Sequence, residues 1–372
     1  MTFEKEIQIL DKLEKRTSEI ITREELLTLL NQIRSGRKVK GYIGVEPSGL
    51  FHVGWIIWAR VLQLLSEAGI KMHFLEATWH AKINDKLGGD MDNIHVCAKY
   101  LEHCLVSLGV DTKRLVFEKA EDLMDSLNYW ETVMHVSKSM SLHRVRRALS
   151  IMGRKEDEVD LDFSKFLYPS LQVTDILSQQ YEVCLGGMDQ RRAHVLAREM
   201  VKKLDLDWTP VAIHTPLLPG LSGAGRMDIQ AITEEESYNL MIEGKMSKSR
   251  PGDAAFIHDP EDKIKTKIMH AFCPQKVIVD NPIIAINQHI LFAEEGFELL
   301  IPRPSKYGGD LVLASYEELI SKFRSGELHP QDLKNATAEA LITLLEPVRA
   351  YFAKNKEATH YKNQVADMVI TR

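Results

Sequence analysis

The chain has 372 residues, of which 44% are apolar and 27% are charged, and its formal net charge is −6. This length predicts two or three domains, and the composition is typical of a globular protein. The acidic balance excludes a generally basic nucleic-acid binder, although a local basic patch suffices for phosphate contacts. No apolar run approaches the roughly 18 residues of a membrane helix, and the charged N-terminal stretch has no apolar signal core. We therefore expect a cytoplasmic protein, away from membranes, with its four cysteines reduced.

The first elements along the chain predict an α/β fold. The first 35 residues are predicted to be helical, and Thr22 with Glu25 forms a capping-box pattern ahead of a leucine-rich helix. A strand, a glycine-containing turn, a helix and a second strand follow at 41–45, 47–49, 54–65 and 70–77. This succession is a βαβ unit, the building block of a parallel sheet.

Residues 88–165 are mostly helical in pattern and interrupt the βα alternation as an inserted helical region. The alternation resumes with a strand, two glycines, a helix and a strand at 181–185, 186–187, 190–204 and 211–214. Residues 220–252 read as a long loop, and loops of this size are usually functional or disordered. From Asp259 onward the pattern is mainly helical. The predicted organisation is N-terminal helices at 1–40, an α/β parallel-sheet domain at 41–258, and a helical domain at 259–372.

The segment His52-Val53-Gly54-Trp55 lies between the first strand and helix of the βαβ unit. A glycine at a helix start lets a ligand approach the backbone, and the N–H groups and dipole of a helix N-terminus favour phosphate. His52 adds a side-chain donor at the same place. The segment predicts either a phosphate-binding turn or a simple glycine turn with a capping histidine, since short glycine motifs recur widely.

A second segment, Lys245-Met246-Ser247-Lys248-Ser249, lies in the long loop. Two lysines three residues apart, with serines between and after them, make either a flexible cationic clamp for a polyphosphate or a solvated basic loop. Gly225-Arg226-Met227 begins in a similar way but lacks the second lysine and the serines.

Tyr168, Gln172 and Asp175 are spaced so that they share one face of a helix whose other positions are apolar. Such a helix is expected to be largely buried, and its polar stripe then faces a cavity rather than water. The alternative is an ordinary amphipathic surface helix. His80, which follows the second strand, is predicted to be either a pocket residue or a packed core histidine.

Four residues of metal-binding type lie close together in the sequence, at His95, Cys97, His103 and Cys104. They spread around a helix rather than converge, so we expect no protein-bound metal. The segment from His143 to Lys155 is basic and contains no acidic residue. It indicates a phosphate-binding patch for RNA, with a solvated helix face as the alternative.

Taken together, the two loop segments resemble the signature motifs of the class I aminoacyl-tRNA synthetases, His-x-Gly-His and Lys-Met-Ser-Lys-Ser. Further stretches resemble archaeal and eukaryotic tyrosyl-tRNA synthetases, at 41–49, 168–175, 186–191, 306–311 and 328–335. The resemblance extends from about Gly41 to Arg349. It implies a Rossmann-type catalytic domain and an α-helical C-terminal anticodon-binding domain, in a homodimer formed through the inserted helical region.

The resemblance also implies an activity and residue roles. ATP, carried as its Mg²⁺ complex, would activate L-tyrosine to tyrosyl-adenylate, and the tyrosyl group would pass to the terminal ribose of tRNA(Tyr). The implied tyrosine-binding residues are Tyr42, Glu46, Tyr168, Gln172, Asp175 and Gln190. The implied catalytic residues are His52, Lys245 and Lys248, and the ATP-binding set adds Gly44, Gly54, Met246, Ser247 and Ser249. The implied tRNA-binding residues are Arg147, Arg191 and Arg192 for the acceptor end, and Tyr307, His329 and Asp332 for the first anticodon base.

The sequence departs from the family pattern in three places. Trp55 replaces the second histidine of the first motif, Thr78 stands where the family carries an acidic residue, and an extra segment precedes Lys245. Two alternatives are a tryptophanyl-tRNA synthetase, which shares both motifs, and a catalytically silent paralogue that binds tRNA. The pair Tyr42 and Asp175 favours a phenol over an indole, and the two lysines argue against a silent protein.

Overall fold

The computed structural model describes residues 4–153, 161–223 and 233–370. The chain forms two compact units. The first consists of residues 1–49, 58–216 and 361–372, and the second of residues 50–57 and 217–360. Lys245–Ser249 therefore belongs with the C-terminal helices, whereas the sequence places it with the parallel sheet.

A six-stranded sheet forms the centre of the first unit, in the order β1-β6-β5-β2-β3-β4. The strands are β1 (Glu19–Ile21), β2 (Lys40–Val45), β3 (Lys71–Glu76), β4 (Val116–Lys119), β5 (Val183–Gly187) and β6 (Val211–Thr215). All neighbouring pairs are parallel except β1 and β6, which are antiparallel. The predicted α/β class with a parallel sheet is confirmed.

Ten α-helices belong with this sheet in the described residues of the first unit. They are α1 (Glu4–Glu14), α2 (Arg23–Arg34), α3 (Ile56–Glu67), α4 (Thr78–Ile83), α5 (Met91–Ser107), α6 (Ala120–Met124), α7 (Leu127–Lys138), α8 (Leu142–Ala148), α9 (Phe163–Gln179) and α10 (Arg191–Lys203). The predicted capping box is present at the start of α2, where the side chains of Thr22 and Glu25 each accept a bond from the other's backbone N–H. On one face, Tyr42 and Leu75 of the sheet pack into an apolar core with α7, α9 and α10.

Two strands differ from the expected pattern. β1 lies inside the stretch predicted to be helical, and it pairs Ile20 with Ile213 of β6. β4 lies inside the predicted helical region 88–165 and adds an edge strand beside β3. The βα alternation therefore continues through α5 and β4, and the stretch of consecutive helices begins only at Ala120.

The second unit is mainly helical. Its elements are α11 (Glu234–Glu243), α12 (Glu261–His270), α13 (Pro282–Ile286), the hairpin β7 (Leu299–Ile301) and β8 (Leu311–Leu313), α14 (Tyr316–Ser325) and α15 (Pro330–Lys354). The last helix, α16 (Lys356–Asp367), begins in this unit and continues into the final stretch of the first. α12 packs along α15, and both helices carry fully buried residues such as Ile268 and Leu341. The prediction of a loop at α11 is wrong. Thr233 and Glu236 form a capping box at the start of this helix, in which each side chain accepts a bond from the other's backbone N–H. Within the residues described, no helix has the length and apolar run needed to cross a bilayer.

Candidate active site

The polar stripe of α9 is buried, which excludes the surface-helix alternative. Every residue from Tyr168 to Leu177 is buried, so this helix has no solvent face over those three turns. Asp175 is 1% exposed, and its Oδ1 accepts a hydrogen bond of 2.6 Å from the Tyr129 hydroxyl. Burial raises the pKa of Asp175 to about 8, although the bond from Tyr129 opposes the shift. Asp175 is therefore mainly protonated at neutral pH.

His80 completes a group that we call the Asp175 cluster: Asp175, Tyr129, His80 and Tyr42. The Nε2 atom of His80 lies 3.2 Å from Asp175 Oδ2, and its ring stands edge-on to Tyr168 at 5.0 Å. Neither ring nitrogen makes a hydrogen bond within the described part of the chain, although the residue is 2% exposed. Burial lowers the pKa of His80 to about 4, so the imidazole is neutral. Two buried ring nitrogens without partners need an explanation, and a polar ligand group would supply one.

Tyr42 comes from β2 and is held from behind by a second tyrosine. Its ring stacks on Tyr181 at 5.0 Å with an interplanar angle of 4°. The Tyr181 hydroxyl donates to Glu118 Oε2 at 2.6 Å, and His73 Nδ1 lies 2.8 Å from the other oxygen of that carboxylate. Burial is the main reason that the pKa of Tyr42 lies well above its usual value, so its hydroxyl stays protonated.

Glu46 gathers the remaining polar residues of the first unit. Its carboxylate accepts 2.7 Å and 3.1 Å hydrogen bonds from the Tyr168 hydroxyl and Asn84 Nδ2. One turn after Tyr168 on α9, Gln172 Nε2 donates to Gln190 Oε1 at 2.9 Å, while Gln172 Oε1 has no hydrogen-bond partner in the region described. The structure thus brings together all six residues of the expected tyrosine-binding set, and Gly44 lies in the same strand as Tyr42.

In the second unit, a short β-bridge joins His52 to the segment that follows the lysine loop. His52 pairs with Phe256, and the Val53 N–H donates to Ala255 O at 2.8 Å. The His52 side chain is 7% exposed, and a Cβ on Gly54 would lie 3.1 Å from two of its ring atoms, so glycine leaves room for that ring. Burial and the nearby Lys248 and Lys245 charges hold the pKa of His52 well below its usual value. The imidazole is therefore neutral beside two cationic side chains.

The lysine loop is anchored where it begins. The Met246 N–H donates to Leu218 O at 2.7 Å, and Lys245 forms a β-bridge with Pro219. The hydroxyls of Ser247 and Ser249 lie 2.9 Å apart. Gly225-Arg226-Met227, which resembles the start of this loop, lies outside the described residues.

The three arginines expected at the tRNA acceptor end differ in their contacts. Arg192 Nη1 donates to the Arg147 backbone carbonyl at 3.2 Å, so these two residues are neighbours. Arg191 instead pairs with Glu19 through two bonds of 2.8 and 2.9 Å. The bond from His214 and this pair lower the pKa of Glu19 to about 2. Arg154 and Lys155, which complete the basic segment, lie outside the described residues.

The residues expected at the anticodon are at the start of α15 and in the β7–β8 connection. His329 caps α15, accepting from the Gln331 N–H at 3.2 Å, and Asp332 lies in the first turn. Tyr307 ends a short turn in the connection, and its side chain is outside the described part of the structure. Arg303 links the β7–β8 connection to the turn ahead of α15, because it donates to Gly309 O and to Glu327 O at 3.0 and 3.3 Å.

Comparisons with known proteins agree with this arrangement. A model of the family "tRNA synthetases class I (W and Y)" matches residues 34–228 and 238–346, leaving 229–237 unmatched ahead of the lysine loop. A tyrosine–tRNA ligase of Sulfolobus acidocaldarius is 47% identical over 355 residues, which are 95% of this chain and 94% of that one. The crystal structure of a Pyrococcus horikoshii tyrosyl-tRNA synthetase complexed with L-tyrosine has a TM-score of 0.88 at 40% identity, covering 98% of this chain and 100% of that one. The crystal structure of a tyrosyl-tRNA synthetase from Aeropyrum pernix has a TM-score of 0.83 at 41% identity, covering 97% of this chain and 99% of that one.

The chain therefore belongs to the class I tRNA synthetases for tryptophan and tyrosine. Within that class it falls among the tyrosyl-tRNA synthetases. The family resemblance of the sequence is confirmed. Two residues of the site, Tyr129 and Asn84, were not identified from the sequence. A third, His80, was predicted to be either a pocket residue or a core histidine, without a choice between the two.

Proposed function

We propose that this protein is a tyrosine–tRNA ligase that works in two steps in the cytoplasm. In the first step the carboxylate of L-tyrosine attacks the α-phosphorus of ATP, which enters with Mg²⁺, and pyrophosphate leaves. In the second step a hydroxyl of the terminal tRNA ribose attacks the tyrosyl carbonyl, and AMP leaves. Positioning and charge stabilisation suffice for both steps, so no residue of the chain need become covalently attached.

The observation that carries the choice of tyrosine is the unsatisfied His80 beside the buried Asp175. A phenol hydroxyl both donates and accepts, so it can pair with the Asp175 carboxyl and with His80 at the same time. An indole N–H only donates, and a phenyl ring does neither. Tryptophan or phenylalanine would therefore leave at least one buried polar group unpaired, which is costly. Gln172 Oε1, with Glu46 and Gln190, would accept from the α-ammonium group.

The ATP phosphates are assigned to the second unit. His52, Lys245 and Lys248 would stabilise charge that develops on the α-phosphate and on leaving pyrophosphate, with Gly54, Ser247 and Ser249 around them. A neutral imidazole donates a hydrogen bond without adding a third positive charge beside two lysines. For tRNA, Arg147 and Arg192 would contact acceptor phosphates, and Asp332 with His329 and Tyr307 would contact the first anticodon base.

We also propose a homodimer formed through α7. Leu127, Trp130 and Met134 lie on one face of this helix and are 76%, 41% and 66% exposed. A second copy of the same helix is self-complementary to this apolar face, and paired copies would cover it in a two-fold symmetric interface.

Amino-acid-dependent exchange of pyrophosphate into ATP tests the activity. Exchange should run with tyrosine and should be at background with tryptophan and phenylalanine. Preference for tryptophan would replace the proposal with the tryptophanyl alternative. Absence of exchange with all twenty amino acids, together with retained tRNA binding, would support the silent paralogue.

A further inference from the structure

Lys248 is held against the residue that replaces the family's second motif histidine. The Nζ atom of Lys248 lies 3.6 Å from the centroid of the Trp55 ring, and the lysine is only 8% exposed. The indole itself is held by Phe51, whose ring is edge-on to it at 5.1 Å, and by His52 at 5.4 Å. The first motif and the lysine loop therefore meet through a cation over an aromatic face.

This contact lies past the bonds that fix the start of the loop. Backbone bonds fix the chain at Lys245 and Met246, and Met246 is 3% exposed. Lys248 follows two residues later on a side chain with four rotatable bonds, which loses considerable rotamer entropy when it is fixed in one place. A contact that limits its freedom before ATP arrives reduces the entropy that must be lost in the transition state.

Tryptophan suits this task better than histidine does. Among aromatic side chains the indole attracts a cation most strongly, and the attraction grows when the cation is shielded from water. An imidazole offers a smaller ring, and when protonated it repels an ammonium group. The substitution at position 55 thus exchanges a direct phosphate donor for a group that acts through the lysine.

We propose that Trp55 is a positioning residue, which holds the Lys248 ammonium ready for the phosphates of ATP. The inference rests on the proposed function, since it assigns Lys248 to the nucleotide. Trp55 would contribute through Lys248 alone and would have no part in binding tyrosine.

Steady-state pyrophosphate exchange with Trp55→Leu and Trp55→Phe provides the test. The leucine variant should lose about 30-fold in kcat/KM for ATP, which corresponds to about 2 kcal/mol for a shielded cation–aromatic contact. The phenylalanine variant should lie between it and the parent protein, because its ring is a weaker partner for a cation. The KM for tyrosine should change by less than about two-fold, because loss of the contact with Lys248 should not weaken the binding of tyrosine.

A double-mutant cycle with Lys248→Ala separates positioning from packing. If Trp55 acts through Lys248, the leucine substitution should have almost no further effect on kcat/KM for ATP in the alanine background. Trp58→Phe is the matched control, since Trp58 lies on α3 and packs on Phe74 at 6.1 Å; it should leave the ATP parameters unchanged. Thermal melts confirm that each variant folds.

Additive losses in the cycle, or equal losses for ATP and tyrosine, would overturn the assignment of Trp55. Phenylalanine and leucine variants of equal activity would do so too. The proposed function stands or falls separately, because it depends on tyrosine-dependent exchange by the unsubstituted protein.

Discussion

Replacing Asp175 by asparagine should flatten the pH dependence of the free energy of unfolding. Burial raises the pKa of this carboxyl to about 8 in the folded protein, whereas an unfolded chain releases the same proton near pH 3.9. Between these two values the unfolded state binds fewer protons than the folded state. Stability is therefore lost as pH rises, and the loss is complete only above about pH 8.

The expected magnitude follows from the shift. With one proton of difference, wild-type protein should lose about 1.4 kcal/mol per pH unit relative to Asp175→Asn, or about 2.7 kcal/mol between pH 5 and pH 7. Asparagine is neutral throughout, and its amide oxygen can still accept from Tyr129. His80 has a neutral neighbour in both proteins over this interval, so its own titration contributes equally to both.

Urea unfolding of both proteins at three pH values from about 5 to 7 measures the difference in slope. Asp162→Asn, at the N-cap of the same helix, is the control. The bonds from Lys165 and Ser164 lower the pKa of Asp162 to about 2, so this carboxyl is ionised in both states over the interval. Its replacement should change the free energy of unfolding by the same amount at each pH. Parallel curves for wild type and Asp175→Asn would refute the reasoning, since Asp175 would then be ionised in the folded protein.

Two further predictions concern tRNA and assembly. Asp332→Ala should leave pyrophosphate exchange intact while tRNA tyrosylation falls by about ten-fold, the effect of one lost hydrogen bond to a charged group. The fall should shrink for tRNAs altered at the first anticodon base, and a thermal melt must show that any lost helix-start stabilisation, about 1 kcal/mol, is not the cause. Met134→Glu should convert a dimer to monomers in light scattering, whereas Leu300→Glu, at a residue 55% exposed on β7, should not; dimers with both variants would contradict the α7 interface.

The central strands were predictable because they are apolar in a local pattern. β2, β3, β5 and β6 are buried runs bounded by turns, which is the pattern of a covered parallel sheet. β1 and β4 are edge strands of three and four residues, with only partly buried side chains. Such short strands carry no run or alternation to separate them from nearby helices. α11 did carry a local signal, the Thr233 and Glu236 capping box, which the acidic composition obscured.

The sequence predicts the part of the site that lies on a single helix. The spacing of Tyr168, Gln172 and Asp175 shows that they share a face, because helical periodicity is a local property. Tyr129 gave no such signal, since its contact with Asp175 depends on how α7 packs against α9. The same holds for Asn84, which reaches Glu46 from a turn that follows α4.

The pairing of β1 with β6 also bears on how the protein is made. Glu19 on β1 bonds His214 on β6 across 195 residues of chain. At about 5–20 residues per second, a ribosome needs about 10–40 s to synthesise the intervening stretch. β1, the first strand to be synthesised, therefore has no pairing partner until β6, the last strand of the sheet, has been made. During that interval the growing sheet can assemble from β2 and β3 outward, and the N-terminal segment is added at the end as the piece that covers its edge.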